Sequence, residues 1–141
     1  MKKLNTQVTI RSLIRGKNKR SLINSAMLYI KCIDDINLND EKKKDIETRL
    51  TEALNNVITF AYPDNQGKVE IRISAYDGFL EIKVKDWGCG ISDVKAAREP
   101  LFSTKYDHSG LGFTCMESFS DKLTVKSTPN KGTIVTIRFY L

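Results

Sequence analysis

Residues 69–75 (VEIRISA) and 79–85 (FLEIKVK) alternate aliphatic and charged side chains with a period of two, on either side of Tyr76-Asp77-Gly78. That period puts aliphatic groups on one face of a strand and charges on the other. A short polar turn containing glycine joins two such runs as an antiparallel, half-buried hairpin. A second pair, KLTVKS and TIVTIRFY joined by TPNKG, closes the chain. Two helical patterns precede them. Leu22, Ile23, Ala26, Met27, Ile30 and Ile33 recur at helical spacing from Ser21 to Ile33, and Ile46, Leu50, Ala53, Leu54, Val57, Ile58 and Ala61 form a stripe over residues 41–61. Asn39 or Asp40 is available as N-cap of the second helix, and YPDNQG ends it. The alternation of Val8 and Ile10 predicts a short strand over 4–14, at a sheet edge. A short helix is expected over 93–98, capped by Ser92 or Asp93 and ended by Pro100. LFSTKYDHSGLGF then runs as a loop into a helix from Gly110 to Phe119. The order β, α, α, β, β, loop with small helix, α, β, β predicts an α+β sandwich with helices on one face.

At 141 residues this is expected to be a single domain over 1–141. Apolar residues at 40% and charged residues at 28% are ordinary for a globular chain. No apolar run approaches the roughly 20 residues that span a bilayer, and MKKLNTQVTI lacks the apolar core of a signal peptide. The expectation is a cytoplasmic protein without membrane association. Cys32, Cys89 and Cys115 are widely spaced and accompanied by one histidine, which argues against zinc and against a disulfide framework. The net charge is +6, with basic knots at Arg15, Lys17, Lys19, Arg20 and at Lys42, Lys43, Lys44. Neither knot is interleaved with aromatics, so no direct nucleic-acid binding is expected.

Three polar features carry possible chemistry. Glu52 and Asn56 stand one turn apart on the second helix, about 40° apart around its axis. An amide oxygen can ligate Mg²⁺, and a carboxylate can accept a proton from a hydroxyl. DWGCGI follows a strand directly, which sets Asp86 at the sheet end beside Gly88 and Gly90. A carboxylate there can accept an adenine amino group while glycines let the backbone approach a planar base. SGLGF opens a helix, where unpaired N–H groups and the helix dipole favour phosphate.

ExxxN, DxGxG and GxG in that order resemble the GHKL (Bergerat-fold) ATPases, and the resemblance covers nearly the whole chain. Within them the chain is most similar to the anti-sigma F factor family of serine kinases, through TEALNN, AREPLFSTK, SGLGFTCMESFSD and GTIVTIRF. The resemblance implies a two-layer α/β sandwich with a mixed, mostly antiparallel sheet and a nucleotide lid. It implies Glu52 as general base, Asn56 as Mg²⁺ ligand and Asp86 as reader of adenine, assisted by Thr133. It further implies cofactor contacts at Gly88, Gly90, Ile91, Thr104, Lys105, His108, Ser109, Gly110, Leu111, Gly112 and Phe113. ATP and Mg²⁺ are the implied cofactors. The implied partners are a sigma factor, an anti-anti-sigma factor phosphorylated on serine, and a second copy of the chain in a homodimer.

The chain departs from the family pattern at His108, where the lid usually carries arginine, and at Phe60-Ala61-Tyr62, where the family usually reads His-Gly-Tyr. The first departure bears on the rate of transfer, because histidine near its reference pKa of about 6.5 offers less charge than arginine. Two other functions fit parts of the pattern. One is a nucleotide-dependent sigma-binding switch with little or no transfer. The other is a detached histidine-kinase-type ATPase domain, although His108, the single histidine, lies in the lid and not on a dimerisation helix.

Overall fold

The computed structural model describes residues 3–33, 36, 38–63, 66–90 and 122–141. The helices expected over 93–98 and from Gly110 to Phe119, and the lid between them, lie outside the described residues. The chain begins with strand β1 (Lys3–Ile14) and passes through a 3-10 turn at Gly16–Asn18 into helix α1 (Lys19–Lys31). Helix α2 (Asp40–Asn56) follows, then the hairpin β2 (Gly67–Tyr76) and β3 (Phe79–Asp86), and the closing hairpin β4 (Lys122–Thr128) and β5 (Gly132–Tyr140). Among the described residues five strands form one sheet in the order β1-β2-β3-β5-β4. Every pairing is antiparallel where the resemblance implied a mixed sheet, because β2–β3 and β4–β5 are joined by short turns and β1 runs back along β2. The expected α+β architecture is therefore present.

Strand alternation explains the two faces. Val69, Ile71, Ile73 and Ala75 of β2, Leu80, Ile82 and Val84 of β3, and Val135, Ile137 and Phe139 of β5 are all buried. They share one core with Leu22, Ile23, Ala26, Met27 and Ile30 of α1 and with Ile46, Leu50, Ala53 and Leu54 of α2. Each fully buried aliphatic side chain contributes about 1.5–3 kcal/mol, so the sheet and the two helices depend on each other for burial. Residues between these on the strands face outward. There the charges are paired: Glu70 meets Arg11 and Arg72, each at 3.1 Å, and Glu81 meets Arg138 at 2.9 Å and Lys83 at 3.8 Å.

Local chemistry sets the element ends. The Asn39 side chain accepts from the Lys42 N–H at 2.7 Å and caps α2, with Asp40 and Glu41 in its first turn. Gly78, at φ 92°, makes the tight turn between β2 and β3, beside which the Tyr76 and Phe79 rings stack at 4.5 Å. The strand expected as short at 4–14 is a 12-residue edge strand paired along β2, with an irregularity between Lys3 and Gln7.

The helix expected over 41–61 changes character at its end. It is α-helical to Asn56 and continues as a π turn at Val57–Ala61, closed by the Tyr62 N–H on the Val57 carbonyl at 3.1 Å. Hydrophobic periodicity does not separate these forms, since Val57 and Ala61 are buried in either case. The wider turn brings Ala61 against Gly88 of the loop after β3. A Cβ on Gly88 would lie 2.5 Å from both the Cβ and the carbonyl oxygen of Ala61.

Candidate functional site

A cleft opens where the end of α2 meets the end of the sheet. Ala53, Asn56, Val57, Phe60 and Ala61 line it from the helical side, and Asp86, Gly90, Thr133 and Val135 line it from the sheet. Four of the residues singled out from sequence, Asn56, Asp86, Gly90 and Thr133, thus converge on one cavity.

Asp86 is the last residue of β3 and only 6% exposed. Its Oδ1 accepts two backbone N–H groups, from Gly88 at 3.0 Å and from Thr133 at 3.2 Å. Its Oδ2 takes no hydrogen bond from the described residues. One oxygen therefore ties the loop to β5, and the other stays available to a donor in the cleft. Burial pushes the Asp86 carboxyl above its ordinary pKa, and the N–H groups of Gly88 and Thr133 pull part of the way back. Thr133 is itself held by its side chain, whose Oγ1 lies 2.8 Å from the Ser127 hydroxyl.

Asn56 sits at the last α-helical position of α2. Its Nδ2 is buried and without a hydrogen-bond partner. A buried donor without a partner calls for an acceptor, which a phosphate or water oxygen in the cleft would supply, and Oδ1 is the atom of this amide able to meet a cation. An oxygen donor of this kind suits Mg²⁺, which uses few protein groups when phosphates supply the rest. Among the described residues no cluster of three or more His, Cys, Asp or Glu could hold a metal ion by itself. Glu52 is half-buried one turn earlier on α2 and is not among the residues that line the cleft.

The glycines of the loop act through close approach. Gly90 has φ 73°, and a Cβ there would collide with the Thr128 carbonyl. The Asn130 N–H donates to the Cys89 carbonyl at 2.6 Å, so the loop lies directly on the β4–β5 turn. Ile91, Thr104, Lys105, His108, Ser109, Gly110, Leu111, Gly112 and Phe113 lie outside the described residues.

Sequence reasoning missed two residues that position the site. Gly132, at φ 124°, brings β5 so close to the Asp86 carbonyl that any Cβ would overlap it. The signal was present in the glycine of TPNKG immediately before Thr133. Tyr62 was noted only for its place in a motif. Its hydroxyl accepts from the Trp87 N–H at 2.8 Å and donates to the Lys68 carbonyl at 2.7 Å, and its ring fills the space above Gly67. Burial raises the pKa of this hydroxyl, the Trp87 N–H lowers it, and the charge of Asp86 raises it again. Tyr62 thereby clamps the end of the π turn to β2 and to the segment after Asp86.

The model of the family described as "Histidine kinase-like ATPase domain" matches residues 18–139. The anti-sigma F factor of Caldanaerobacter subterraneus subsp. tengcongensis is 43% identical over 103 residues, 72% of each chain. The chain belongs to the anti-sigma F factor family of histidine kinase-like ATPases. A second anti-sigma F factor, from a Geobacillus species, is 42% identical over 100 residues, 69% of this chain and 68% of its own. The blue-light activated histidine kinase of Erythrobacter litoralis shares the fold of this histidine kinase-like ATPase at a TM-score of 0.62 and 25% identity. That match covers 86% of the chain, which spans 40% of the length of that kinase. Membership makes ATP the ligand class of the domain and kinase-type chemistry its setting. Among the described residues no helix is long and apolar enough to cross a membrane.

Proposed function

We propose that the chain binds Mg-ATP in the cleft between α2 and the sheet, sequesters a sigma factor, and phosphorylates an anti-anti-sigma factor on serine. The observation that carries this reading is the division of labour at Asp86, whose Oδ1 is consumed by the fold while Oδ2 takes no hydrogen bond from the described residues, in a carboxylate that lines the same cleft as Asn56 with its unpartnered Nδ2.

Asp86 Oδ2 accepts the adenine amino group, and Thr133 holds the carboxylate in place through its N–H. Gly88 and Gly90 let the loop after β3 pack directly on Ala61 and on the Thr128 carbonyl, which sets Asp86 at the edge of the cleft. Asn56 offers its amide oxygen to Mg²⁺, which when bound neutralises charge on the phosphates. Glu52, one turn earlier on the same helix, takes the proton of the substrate serine as its oxygen bonds to the γ-phosphorus and the bond to the β-phosphate oxygen breaks, leaving ADP. Ile91, Thr104, Lys105 and the segment His108 to Phe113 contribute the remaining nucleotide contacts in this reading, with Ser109-Gly110-Leu111-Gly112-Phe113 donating to the phosphates. The setting is the cytoplasm, and two copies pair as a homodimer.

Incubation of the full chain with γ-labelled ATP, Mg²⁺ and the anti-anti-sigma protein tests the central step. Label on a serine of that protein is the expected result. ATP bound without any transfer would overturn the kinase assignment in favour of a nucleotide-dependent sigma-binding switch. Light scattering tests the pairing, and a mass of 16.0 kDa at tens of micromolar would exclude it.

A further inference from the structure

Beyond the nucleotide cleft, the outer face of the sheet carries a second concave surface, at the strand ends on the other side of Asp86 and Thr133. Strand register builds it. Lys85 of β3 and Lys126 of β4 both stand opposite Ile134 of β5, so a lysine, an isoleucine and a lysine form one row across three strands. Lys131 from the β4–β5 turn, Trp87 from the loop after β3, and Ser127 and Thr128 at the end of β4 add to the lining, and Asp86 and Thr133 line both this hollow and the nucleotide cleft. Trp87 is 39% exposed, and the ammonium groups of Lys68 and Lys85 lie over its ring at 4.8 and 4.9 Å from the centroid.

Charge balance sets this hollow apart from the rest of the same face. Elsewhere, Glu70 and Glu81 each hold two cationic side chains. Here none of Lys68, Lys85, Lys126 and Lys131 forms an ion pair with a described residue. The one carboxylate in the lining is Asp86, which is buried with Oδ1 held by two N–H groups. Lys85 stands opposite Glu70 in the β2–β3 register and shares its field, whereas Lys126 and Lys131 have no carboxylate partner among the described residues, and the apolar side chains of Ile134 and Trp87 lie beside them. Such a surface complements a chain that brings negative charges flanking an apolar side chain.

We infer that this hollow, which adjoins the nucleotide cleft at Asp86 and Thr133, is a docking site for an acidic protein segment carrying an apolar anchor. The acidic segment is favoured over a single-stranded nucleic acid because base stacking needs an open aromatic face, and two ammonium groups already sit over the Trp87 ring.

Trp87 is the single tryptophan of the chain, so its emission reports occupancy directly. The full chain, without nucleotide, is titrated with a synthetic peptide rich in Asp and Glu around a central leucine. The expected result is a saturable change in emission whose affinity falls as salt is raised. The double substitution Lys126→Glu with Lys131→Glu should weaken the peptide by about tenfold or more, while leaving the circular dichroism spectrum and ATP affinity at parental values. A parallel titration uses a single-stranded oligonucleotide. No saturable response to the peptide, a response indifferent to the double substitution, or tighter binding of the oligonucleotide than of the peptide would each overturn the assignment.

Discussion

Replacing Asp86 by asparagine separates recognition from folding at a single position. The two N–H groups that tie the loop to β5 both reach Oδ1, and an asparagine can present its carbonyl oxygen to them unchanged. What changes is the other atom, where an acceptor becomes an NH₂ donor facing the amino group of adenine. Two opposed donors lose one hydrogen bond and leave a desolvated group unsatisfied, at a cost of about 1–3 kcal/mol. That corresponds to about a 5- to 150-fold weaker affinity for ATP. Inosine triphosphate, with a carbonyl in place of the amino group, should lose far less or gain. Folding stability should move the other way. Burial is the largest influence on Asp86 and raises its pKa, so the folded chain holds this proton more tightly than the unfolded one. The stability that the group contributes is present in full below its ordinary value of 3.8 and lost as pH rises through the folded value. At pH 7 the parent carries that loss and the neutral asparagine does not. Calorimetric titration with both nucleotides, alongside melting curves at pH 7, tests both halves. An asparagine variant that binds ATP as tightly as the parent would refute the assignment of Oδ2. One that melts well below the parent would refute the assignment of Oδ1.

Asn56→Ala should weaken Mg-ATP binding by removing the metal ligand, whereas Glu52→Gln should leave binding nearly intact and abolish phosphoryl transfer; equal losses of affinity would contradict the division of roles. Tyr62→Phe keeps the ring over Gly67 but deletes bonds of 2.7 and 2.8 Å to Lys68 and Trp87, so urea unfolding should show a loss of about 1–2 kcal/mol. An unchanged midpoint would mean that the clamp carries no load. Gly90→Ala combines φ 73° with a collision against the Thr128 carbonyl, which should cost about 2 kcal/mol or more and reduce ATP affinity by displacing the loop. Parental stability and affinity in that variant would show that the loop adapts freely.

Much of this protein was legible without coordinates, because its information is local and periodic. The two hairpins, both helices and the inward-facing residues followed from alternation at two and at 3.6 residues, which the backbone geometry imposes on any chain that buries one face. The positions of Asn56 on its helix and of Asp86 at its strand end could also be read, since they depend only on neighbours in sequence. The π turn at Val57–Ala61 was not legible, because the same apolar residues satisfy an α-helix equally well. The convergence of Asn56, Asp86, Gly90 and Thr133 was implied by the family resemblance and not by periodicity, since no local signal specifies how α2 crosses the sheet. Tyr62 and Gly132 act through partners distant in sequence, and their roles appear only when β2, β3 and β5 are in register. The lysine-rich hollow around Trp87 has the same origin. Its cations are scattered from Lys68 to Lys131 and form no run, and antiparallel pairing alone places Lys85 and Lys126 on either side of Ile134.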